Sequence, residues 1–335
     1  MGKIIKVGIV GSGLMGYRRA EAISATRGSR LVAVTDIDIK KAEALAQKHQ
    51  AQVEKDWRSL AKRKDVDVVI ISVPNKFLAP IAIEALQNGK HLLCEKPFGR
   101  NVAEAKKIIA AALKYKRLVK VGFNHRFHAA IIKAKEIFDR GGIGKIMFIR
   151  GRYGQGGRKG MEHEWRFSKD MSGGGELLDQ GVHLIDLCRF FAGEFNEVFG
   201  AVETKFWKAK VEDNAFMILK NKAVTASLHV SATQWKNLFS FEIFGDKGFL
   251  TIDGKGGSYG KETLMFGKRK PEFGVPGMKT FEFGRDTSWE EEWGNFLKAL
   301  NKKAKIVGTS KDGLRANQIV EAIYVSSKSK KSIRL

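Results

Sequence analysis

A short apolar strand runs directly into a glycine-rich turn at residues 7–16, whose sequence is VGIVGSGLMG. A helical pattern follows, and Asp36 ends the next apolar segment about twenty residues after Gly16. In such an arrangement Gly11 makes the tight turn, Gly13 lets the backbone approach a pyrophosphate, and Gly16 allows the helix to pack closely on the strand. The positive end of the helix would hold the anion. The stretch therefore predicts a dinucleotide site that opens a parallel α/β sheet.

The acidic residue after the second strand bears on which dinucleotide is bound. The carboxylate of Asp36 can accept hydrogen bonds from both ribose hydroxyls and would repel a 2′-phosphate. This predicts NAD over NADP, while Lys40 and Lys41, just downstream, keep NADP open as an alternative. Leu14 and Met15 lie inside the turn and are expected to line the cofactor.

The sequence around this turn continues as alternating strands and helices. Short β-branched runs predict strands at 4–10, 30–36, 66–73, 91–94 and 118–122, and amphipathic segments predict helices at 15–26, 40–48, 80–87 and 102–115, the last capped by Asn101. Residues 1–123 are therefore expected to form an α/β Rossmann domain that binds NAD(P).

After residue 124 the pattern changes to a different class of domain. Helices are predicted at 129–139 and 176–191, with Gly193 ending the second. Alternating segments then predict strands at 197–207, 214–219, 223–232 and 238–244, with a hairpin turn at 245–248 and a sequential antiparallel sheet following. Residues 124–335 are thus expected to form an α+β domain with a large, mostly antiparallel sheet, for substrate binding and oligomerisation. Terminal helices at 289–300 and 314–326 are expected to pack back on the body.

Composition excludes several classes of protein. At 335 residues, 43% of them hydrophobic, the chain exceeds what one core usually supports, so two domains are expected. No apolar run is long enough to cross a bilayer and no signal-peptide cleavage site is evident, so a cytoplasmic location without membrane association is expected. The net charge of +24 would suit a polyanion, but the basic residues are scattered, which disfavours a nucleic-acid partner. Cys94 and Cys188 lack metal-binding spacing and are expected in the core, and no metal site is expected.

Two segments follow strands of the predicted parallel sheet and should lie at its ligand-binding edge. Val73, Pro74 and Asn75 come after the fourth strand, and Glu95 and Lys96 come after the fifth. Because ligands of such sheets lie outside the carboxyl ends of the strands, both segments are expected to flank the nicotinamide half of a dinucleotide. Proline after Lys96 restricts that residue to an extended conformation.

A second group of candidate residues lies in the predicted helix after the triple glycine at 173–175. Asp179 and His183 would be one helical turn apart on one face, so the carboxylate could orient and charge the imidazole. Leu178, Val182 and Ile185 cover other faces. The polar pair therefore stands apart from the packing residues. His125 and His128 have HxxH spacing, but without a third ligand they do not indicate a metal site.

Taken together, the glycine turn, the Glu95-Lys96-Pro97 motif and the Gly-Gly-Gly…Asp-x-Gly-x-His segment resemble the glucose-fructose oxidoreductase/inositol dehydrogenase/rhizopine-catabolism (Gfo/Idh/MocA) family over nearly the whole chain. The resemblance implies an NAD(P)-dependent oxidoreductase that acts on a sugar-type substrate and forms a homodimer or homotetramer. It also implies that Lys96, Asp179 and His183 form the catalytic group. Cofactor contacts are implied for Gly11, Gly13, Asp36, Asn75, Glu95 and Asn124, with Trp165 and Arg166 near the dinucleotide.

The implied catalytic group fits the needs of hydride transfer. A sugar hydroxyl must lose its proton as hydride leaves the same carbon. His183 is the preferred base, Lys96 would stabilise the alkoxide-like charge, and Asp179 would orient the substrate or the histidine. An exchange of roles between Lys96 and His183 stays open.

Substrate contacts are predicted from a basic strand and the loop after it. Arg150 and Arg152 alternate on one strand face, Tyr153 begins a glycine-rich loop, and Trp235 follows much later. Arg152, Tyr153 and Trp235 are therefore candidate substrate-binding residues beside the catalytic group. They favour a sugar phosphate or nucleotide sugar over a free polyol, with a basic surface loop as the alternative.

Two other functions are compatible with the same fold. A glycoside-cleaving enzyme that keeps NAD bound would show no net cofactor reduction. A regulator that senses NAD(P) without catalysis would suit the basic charge. Such a regulator needs no complete catalytic group, so the sequence favours an enzyme.

Overall fold

The computed structural model describes residues 3–335, which fall into two compact units. The first unit ends at Asn124 and also takes in Trp289–Asn317, and the second comprises His125–Ser288 and Gln318–Leu335. Along residues 3–335, no helix combines the length and apolar composition needed to span a membrane.

The first unit alternates strands and helices in the order that the sequence predicts. Its elements are β1 (Ile5–Val10), α1 (Leu14–Ala25), β2 (Ser29–Thr35), α2 (Ile39–His49), β3 (Gln52–Val53), α3 (Trp57–Lys62), β4 (Val68–Ile71), α4 (Asn75–Gln87), β5 (His91–Glu95), α5 (Val102–Lys114) and β6 (Val119–Gly122). These strands of residues 5–122 pair in parallel in the order β3-β2-β1-β4-β5-β6. The Rossmann topology is therefore confirmed, with its crevice where the strand order reverses between β1 and β4.

The differences from the predicted elements have local causes. Helix α4 begins at Asn75 instead of at residue 80, and Pro80 lies inside it. Because proline is common in the first turn of a helix, the sequence placed the start of this helix at Pro80, which is too late. Strand β3 and helix α3 were not predicted, because two and six residues are too short to show a hydrophobic period. The predicted cap is confirmed, since Oδ1 of Asn101 accepts a hydrogen bond from the Glu104 N–H at 2.9 Å.

The second unit is built around a larger sheet. The remaining elements of the chain are α6 (Ala129–Asp139), β7 (Ile146–Gly154), α7 (Lys169–Ser172), α8 (Val182–Ala192), β8 (Glu197–Glu203), β9 (Asn214–Lys220), β10 (Thr225–Ser231), β11 (Leu238–Gly245), β12 (Gly248–Asp253), β13 (Glu262–Lys268), β14 (Gly277–Phe283), α9 (Ser288–Leu300), α10 (Ser310–Ser329) and β15 (Ile333–Arg334). The predicted hairpin is confirmed, with β11 and β12 joined at residues 245–248.

The sheet of residues 146–334 is mostly antiparallel, as predicted. Its strand order is β14-β13-β12-β11-β7-β10-β9-β8-β15, and within it β7 and β10 run parallel. Strands β11 to β14 form the sequential antiparallel arrangement that the sequence predicts, and β7 lies between β11 and β10. Alternation of buried and exposed residues specifies a strand's face and leaves its partner undetermined.

The core of the first unit is formed by β-branched strand residues and by helix α9. Val7, Ile9 and Ile70 are fully buried in one cluster with Trp293 and Phe296 of α9. The indole N–H of Trp293 donates a hydrogen bond to Oγ of Ser29 at 2.9 Å. Cys94 and Cys188 are buried and unbridged in their respective units, as predicted.

Candidate functional site

The glycine turn has the three properties that a phosphate-binding turn needs. Gly11 has a φ of 96°, and a Cβ there would lie 2.3 Å from the Ser72 carbonyl oxygen. A Cβ on Gly16 would lie 1.9 Å from the Gly11 carbonyl oxygen, so helix and turn meet at backbone distance. At Gly13, by contrast, a Cβ would meet no atom within 4 Å. Side chains at positions 11 and 16 would therefore clash with the backbone, whereas the space beside Gly13, at the N-terminus of α1, holds no protein atom.

The carboxylate of Asp36 is held beside this turn by backbone hydrogen bonds. Its Oδ2 accepts from the N–H of Ser12 at 2.6 Å, and its Oδ1 accepts from the N–H of Asp38 at 2.9 Å. Lys41, one of the two lysines that left NADP as an alternative cofactor, forms an ion pair with Asp38 at 2.9 Å. An acid fixed at this point can accept from ribose hydroxyls and opposes a second phosphate.

These residues fit a dinucleotide. Gly13 leaves room for close backbone approach, the α1 N-terminus offers unpaired N–H groups and the associated dipole, and Leu14 is 66% exposed beside them, followed by half-buried Met15. The cofactor residues proposed from the glycine motif therefore lie together in one turn.

The ends of β4, β5 and β6 bring further predicted cofactor residues to the same edge of the sheet. Val73 and Pro74 follow β4, and Asn75 begins α4 with 5% of its surface exposed. Asn124 follows β6 and is also buried. Because β1, β4, β5 and β6 are parallel neighbours, their carboxyl ends share the edge that carries the glycine turn.

Glu95, at the end of β5, binds a buried arginine. Oε1 of Glu95 accepts from Nε of Arg19 at 2.7 Å, and Nη1 of Arg19 lies 2.5 Å from Oε2 of Glu292. Burial raises the pKa of Glu292, although the Arg19 charge opposes this. The ion triad joins α1, β5 and α9. Lys96 follows directly and is half-buried, with a cis peptide bond to Pro97.

In the second unit, close packing requires two glycines of the triple glycine, and Gly173 has a φ of 86°. A Cβ on Gly174 would lie 2.2 Å from the Tyr324 hydroxyl, and one on Gly175 would lie 1.9 Å from the Glu212 carbonyl oxygen. The Glu212 carboxylate is buried there and accepts from the Tyr324 hydroxyl at 2.7 Å and from the Leu177 N–H at 3.1 Å. The glycines thus anchor the segment that carries the predicted catalytic pair.

The predicted helix at 176–191 is not continuous. A turn of π-helix at Leu177–Gly181 precedes α8, and Asp179 lies inside that turn. Oδ2 of Asp179 is 3.4 Å from Nε of Arg166, whose guanidinium lies 4.5 Å from the ring centroid of the half-buried Trp165. The structure therefore brings Trp165, Arg166 and Asp179 together. Single π-turns are frequent at functional sites.

His183 lies in a cluster of aromatic and basic side chains. Its ring stacks on that of His125, with centroids 3.7 Å apart and planes inclined by 27°, and both residues are 4% exposed. Lys255 Nζ donates to the Tyr153 hydroxyl at 2.7 Å and lies 3.2 Å from Nε2 of His125. We call His125, Tyr153, His183 and Lys255 the imidazole cluster.

Burial keeps the tyrosine of the cluster protonated. Burial raises the pKa of Tyr153 well above its usual value, and Tyr259 and the Asp179 carboxylate add to the effect. Lys255 Nζ lies 4.2 Å from the ring centroids of both Tyr153 and Tyr259. The cluster therefore offers neutral hydroxyls, imidazoles and one ammonium in a buried setting.

The expectation that Arg152 shares a site with Tyr153 is wrong. The two residues are neighbours on β7, so their side chains point to opposite faces of the sheet. Arg152 and Arg150 line a cavity of about 720 Å³ on the outer face with Phe216 and His229. Tyr153 contacts His125 on the inner face.

The role of Trp235 in substrate binding remains a prediction. It lies in the loop between β10 and β11, is 62% exposed, and packs edge-on against Phe206 with centroids 4.8 Å apart.

His125 and Lys255 are the candidate residues that sequence reasoning missed. His125 drew attention only through its HxxH spacing with His128, whose Nδ1 faces Glu262 at 3.0 Å. Within residues 3–335, no group of three or more His, Cys, Asp or Glu side chains is placed to hold a metal ion. Lys255 lies 130 residues from His125 in sequence, and no local pattern marks it.

Comparison with known protein families and structures agrees with this fold. Residues 5–123 match the Gfo/Idh/MocA oxidoreductase family model, described as an NAD-binding Rossmann fold, and residues 131–251 match the C-terminal domain model of the same family.

Relatives and solved structures give the same assignment. The levoglucosan dehydrogenase of Pseudarthrobacter phenanthrenivorans is 34% identical over 60% of this chain and 54% of its own length. The inositol 2-dehydrogenase of Rubrobacter xylanophilus is 33% identical over 57% of this chain and 53% of its own, so these matches span about half of each relative. A levoglucosan dehydrogenase structure with NADH and levoglucosan superposes with a TM-score of 0.89 at 25% identity, covering 98% of this chain and 99% of that one. The chain therefore belongs to the Gfo/Idh/MocA family of oxidoreductases with an NAD-binding Rossmann fold.

Proposed function

We propose that the protein is an NAD-dependent dehydrogenase that transfers hydride between nicotinamide and a hydroxyl-bearing carbon of a sugar or sugar derivative. The observation that carries the proposal is the open Gly13 at the N-terminus of α1 with Asp36 fixed beside it, which suits NAD. The levoglucosan and inositol dehydrogenases among the relatives support a carbohydrate hydroxyl as the reacting group.

Lys96, Asp179 and His183 are proposed as the catalytic group. NAD, when bound, supplies the hydride acceptor. His183 takes the proton of the substrate hydroxyl, and Lys96 stabilises the developing negative charge on the same oxygen. Asp179 orients the substrate or the base. The roles of Lys96 and His183 could be exchanged, and the pH dependence of their variants would separate the two assignments.

Uncharged carbohydrates are proposed as substrates ahead of sugar phosphates and nucleotide sugars. The phosphate argument rests on Arg150 and Arg152, on the glycine-rich loop after them and on Trp235. Both arginines face the outer side of the sheet, which removes part of its basis. Tyr153, His125 and His183 instead present a hydroxyl and two imidazole groups, which suit a polyol.

A substrate panel tests the proposal. Purified protein is incubated with NAD or NADP and with levoglucosan, inositol, glucose, glucose 6-phosphate or a UDP-sugar, while absorbance of reduced nicotinamide is followed. Reduction of NAD by an uncharged sugar is expected. Cleavage of a glycoside without net NAD reduction would show the glycoside-cleaving alternative, and cofactor binding without any turnover would show the regulator.

We also propose that the outer face of the large sheet is an oligomer interface. Phe148, Phe199 and Phe216 are 37%, 41% and 47% exposed on that face, an apolar surface that a second copy would cover. Light scattering during gel filtration should give a dimer or tetramer, and Phe216→Glu should shift it toward the monomer. A native chain that elutes as a monomer would contradict the interface.

A further inference from the structure

We propose that Lys255 is a positioning residue that sets the charge of the stacked His125–His183 pair and so keeps His183 ready to accept a proton. The inference rests on the proposed function, in which His183 is the base. It adds a role for a lysine that lies outside the glycine, Glu-Lys-Pro and Asp-x-Gly-x-His motifs.

The contact between Lys255 and His125 restricts where protons can reside. An ammonium has three donors and no acceptor, so Nε2 of His125, 3.2 Å from Lys255 Nζ, must accept through its lone pair. A proton on that nitrogen would place its N–H donor opposite the ammonium of Lys255, which is also a donor. The lysine therefore opposes protonation of the ring that stacks on His183.

Lys255 is held in this place by groups other than His125. Its Nζ donates to the Tyr153 hydroxyl at 2.7 Å and lies over the faces of Tyr153 and Tyr259. Cation–π contacts with two rings favour the charged lysine. The ammonium is consequently a fixed charge beside the imidazoles.

The two imidazoles share one electrostatic environment. Their centroids are 3.7 Å apart and both rings are buried, so a charge on one is felt by the other and the pair titrates as a unit. A positive neighbour within about 4–6 Å disfavours a second positive charge. Lys255 thus lowers the tendency of the whole pair to hold an extra proton before substrate arrives.

Other ionisable groups around the pair are consistent with this role. His128 is 5.5 Å from His125 in an edge contact, and its own Nδ1 faces Glu262 at 3.0 Å and Asp286 at 3.7 Å. His128 therefore directs one ring nitrogen at two carboxylates.

Two further carboxylates act on the imidazole cluster, those of Asp179 and Glu176. Asp179 is near Arg166, and Oε1 of Glu176 accepts from Nε2 of Gln155 at 2.8 Å. Burial and Tyr259 raise the pKa of Tyr153, and both carboxylates add to the effect. Their negative charge favours a protonated imidazole pair, and the Lys255 ammonium opposes it.

The test removes the charge of Lys255 and measures the protonation of the histidines directly. Lys255→Met and Lys255→Gln remove the charge, Lys255→Arg retains it, and Lys261→Met serves as the matched control. Lys261 lies six residues further along and forms an exposed ion pair with Glu282. The full chain is labelled at histidine Cε1, and the signals of its seven histidines are titrated by NMR, with His125→Asn and His183→Asn giving assignments.

The same variants are assayed for kcat/KM against pH with the best substrate of the panel. In Lys255→Met and Lys255→Gln, the His125 and His183 signals and the acid limb of kcat/KM should move to higher pH. A shift of the acid limb by about one pH unit corresponds to a loss of about tenfold in kcat/KM at low pH. The value of kcat/KM on the alkaline plateau should change little. Lys255→Arg should restore the native behaviour, and Lys261→Met should retain it.

Identical histidine titrations in native protein and in folded Lys255→Met and Lys255→Gln would overturn the inference. A uniform loss of activity at every pH, with unchanged titrations, would do the same, because it would show only a structural role. If the native protein oxidises no carbohydrate, the proposed function fails, and the NMR titration still decides whether Lys255 sets the charge of the pair.

Discussion

Oδ2 of Asp36 accepts a hydrogen bond from the backbone N–H of Ser12 at 2.6 Å, which ties the acid at the end of β2 to the glycine turn. The carboxylate is therefore oriented before any ligand arrives. We expect this side chain to control the choice between NAD and NADP.

Replacing Asp36 by Ser should weaken the preference for NAD. The substitution removes the charge that repels a 2′-phosphate while keeping a short polar side chain. The ratio of NADP to NAD dissociation constants, measured by calorimetry, should fall by about tenfold, or about 1.4 kcal/mol. The exposed Lys40→Ser control should leave the ratio near its native value. Tighter binding of NADP than of NAD by the native protein would contradict the role of Asp36.

Two glycines of the turn should respond differently to alanine. At Gly13 the added Cβ meets no protein atom within 4 Å, so Gly13→Ala should fold normally and lose affinity for NAD. At Gly16 the added Cβ would lie 1.9 Å from a carbonyl oxygen, so Gly16→Ala should lower the melting temperature before ligand is added. Thermal unfolding with and without NAD distinguishes the two effects. Equal stability losses in both variants would be inconsistent with this division of roles.

Lys96→Met and His183→Asn should each abolish turnover while NAD still binds. Both changes remove a group proposed to handle the substrate proton or oxygen, and neither touches the glycine turn. Losses of kcat of about a hundredfold or more are expected, with NAD affinity by calorimetry within about threefold of native. Retention of most activity in both variants would refute the assignment.

The buried ion triad should make Arg19 critical for stability. Arg19→Met leaves the carboxylates of Glu95 and Glu292 buried without their cation, which typically costs about 3–5 kcal/mol. Its neighbour Arg18 is exposed, and Arg18→Met should change the free energy of unfolding by less than about 1 kcal/mol. Denaturant unfolding of both variants provides the comparison. A loss at Arg19 no larger than that at Arg18 would exclude a stabilising triad.

The stability of the Glu212→Gln variant relative to the native protein should increase as pH rises. Burial raises the folded-state pKa of Glu212, so the stability gained from its neutral form is present below the unfolded value and lost as pH passes the folded value. Glutamine does not titrate and can still accept from Tyr324. The difference in melting temperature between variant and native protein should therefore increase from about pH 4.5 upward. The exposed Glu282→Gln serves as control, and a flat difference for Glu212→Gln would contradict the raised pKa.

Local sequence was sufficient to predict the glycine turn and most strands and helices of the Rossmann sheet. It predicted neither β3 and α3 nor the place of residues 289–317 in the first unit. The glycines at 11, 13 and 16 and the acid at 36 interact over short stretches of chain, so their spacing reports the geometry directly. Strand periodicity likewise predicted a mostly antiparallel second sheet. It could not place β7 between β11 and β10, because the partner of a strand depends on contacts far along the chain.

The sequence by itself determined the family, the dinucleotide turn and the segments that carry Lys96, Asp179 and His183. Only the tertiary structure decided that Asp179 lies in a π-turn beside Arg166 and that His125 and Lys255 meet. The physical reason is the range of the interactions. Turns and strand faces are set by neighbouring residues, whereas a hydrogen bond across 130 residues exists only once the sheet has brought its loops together.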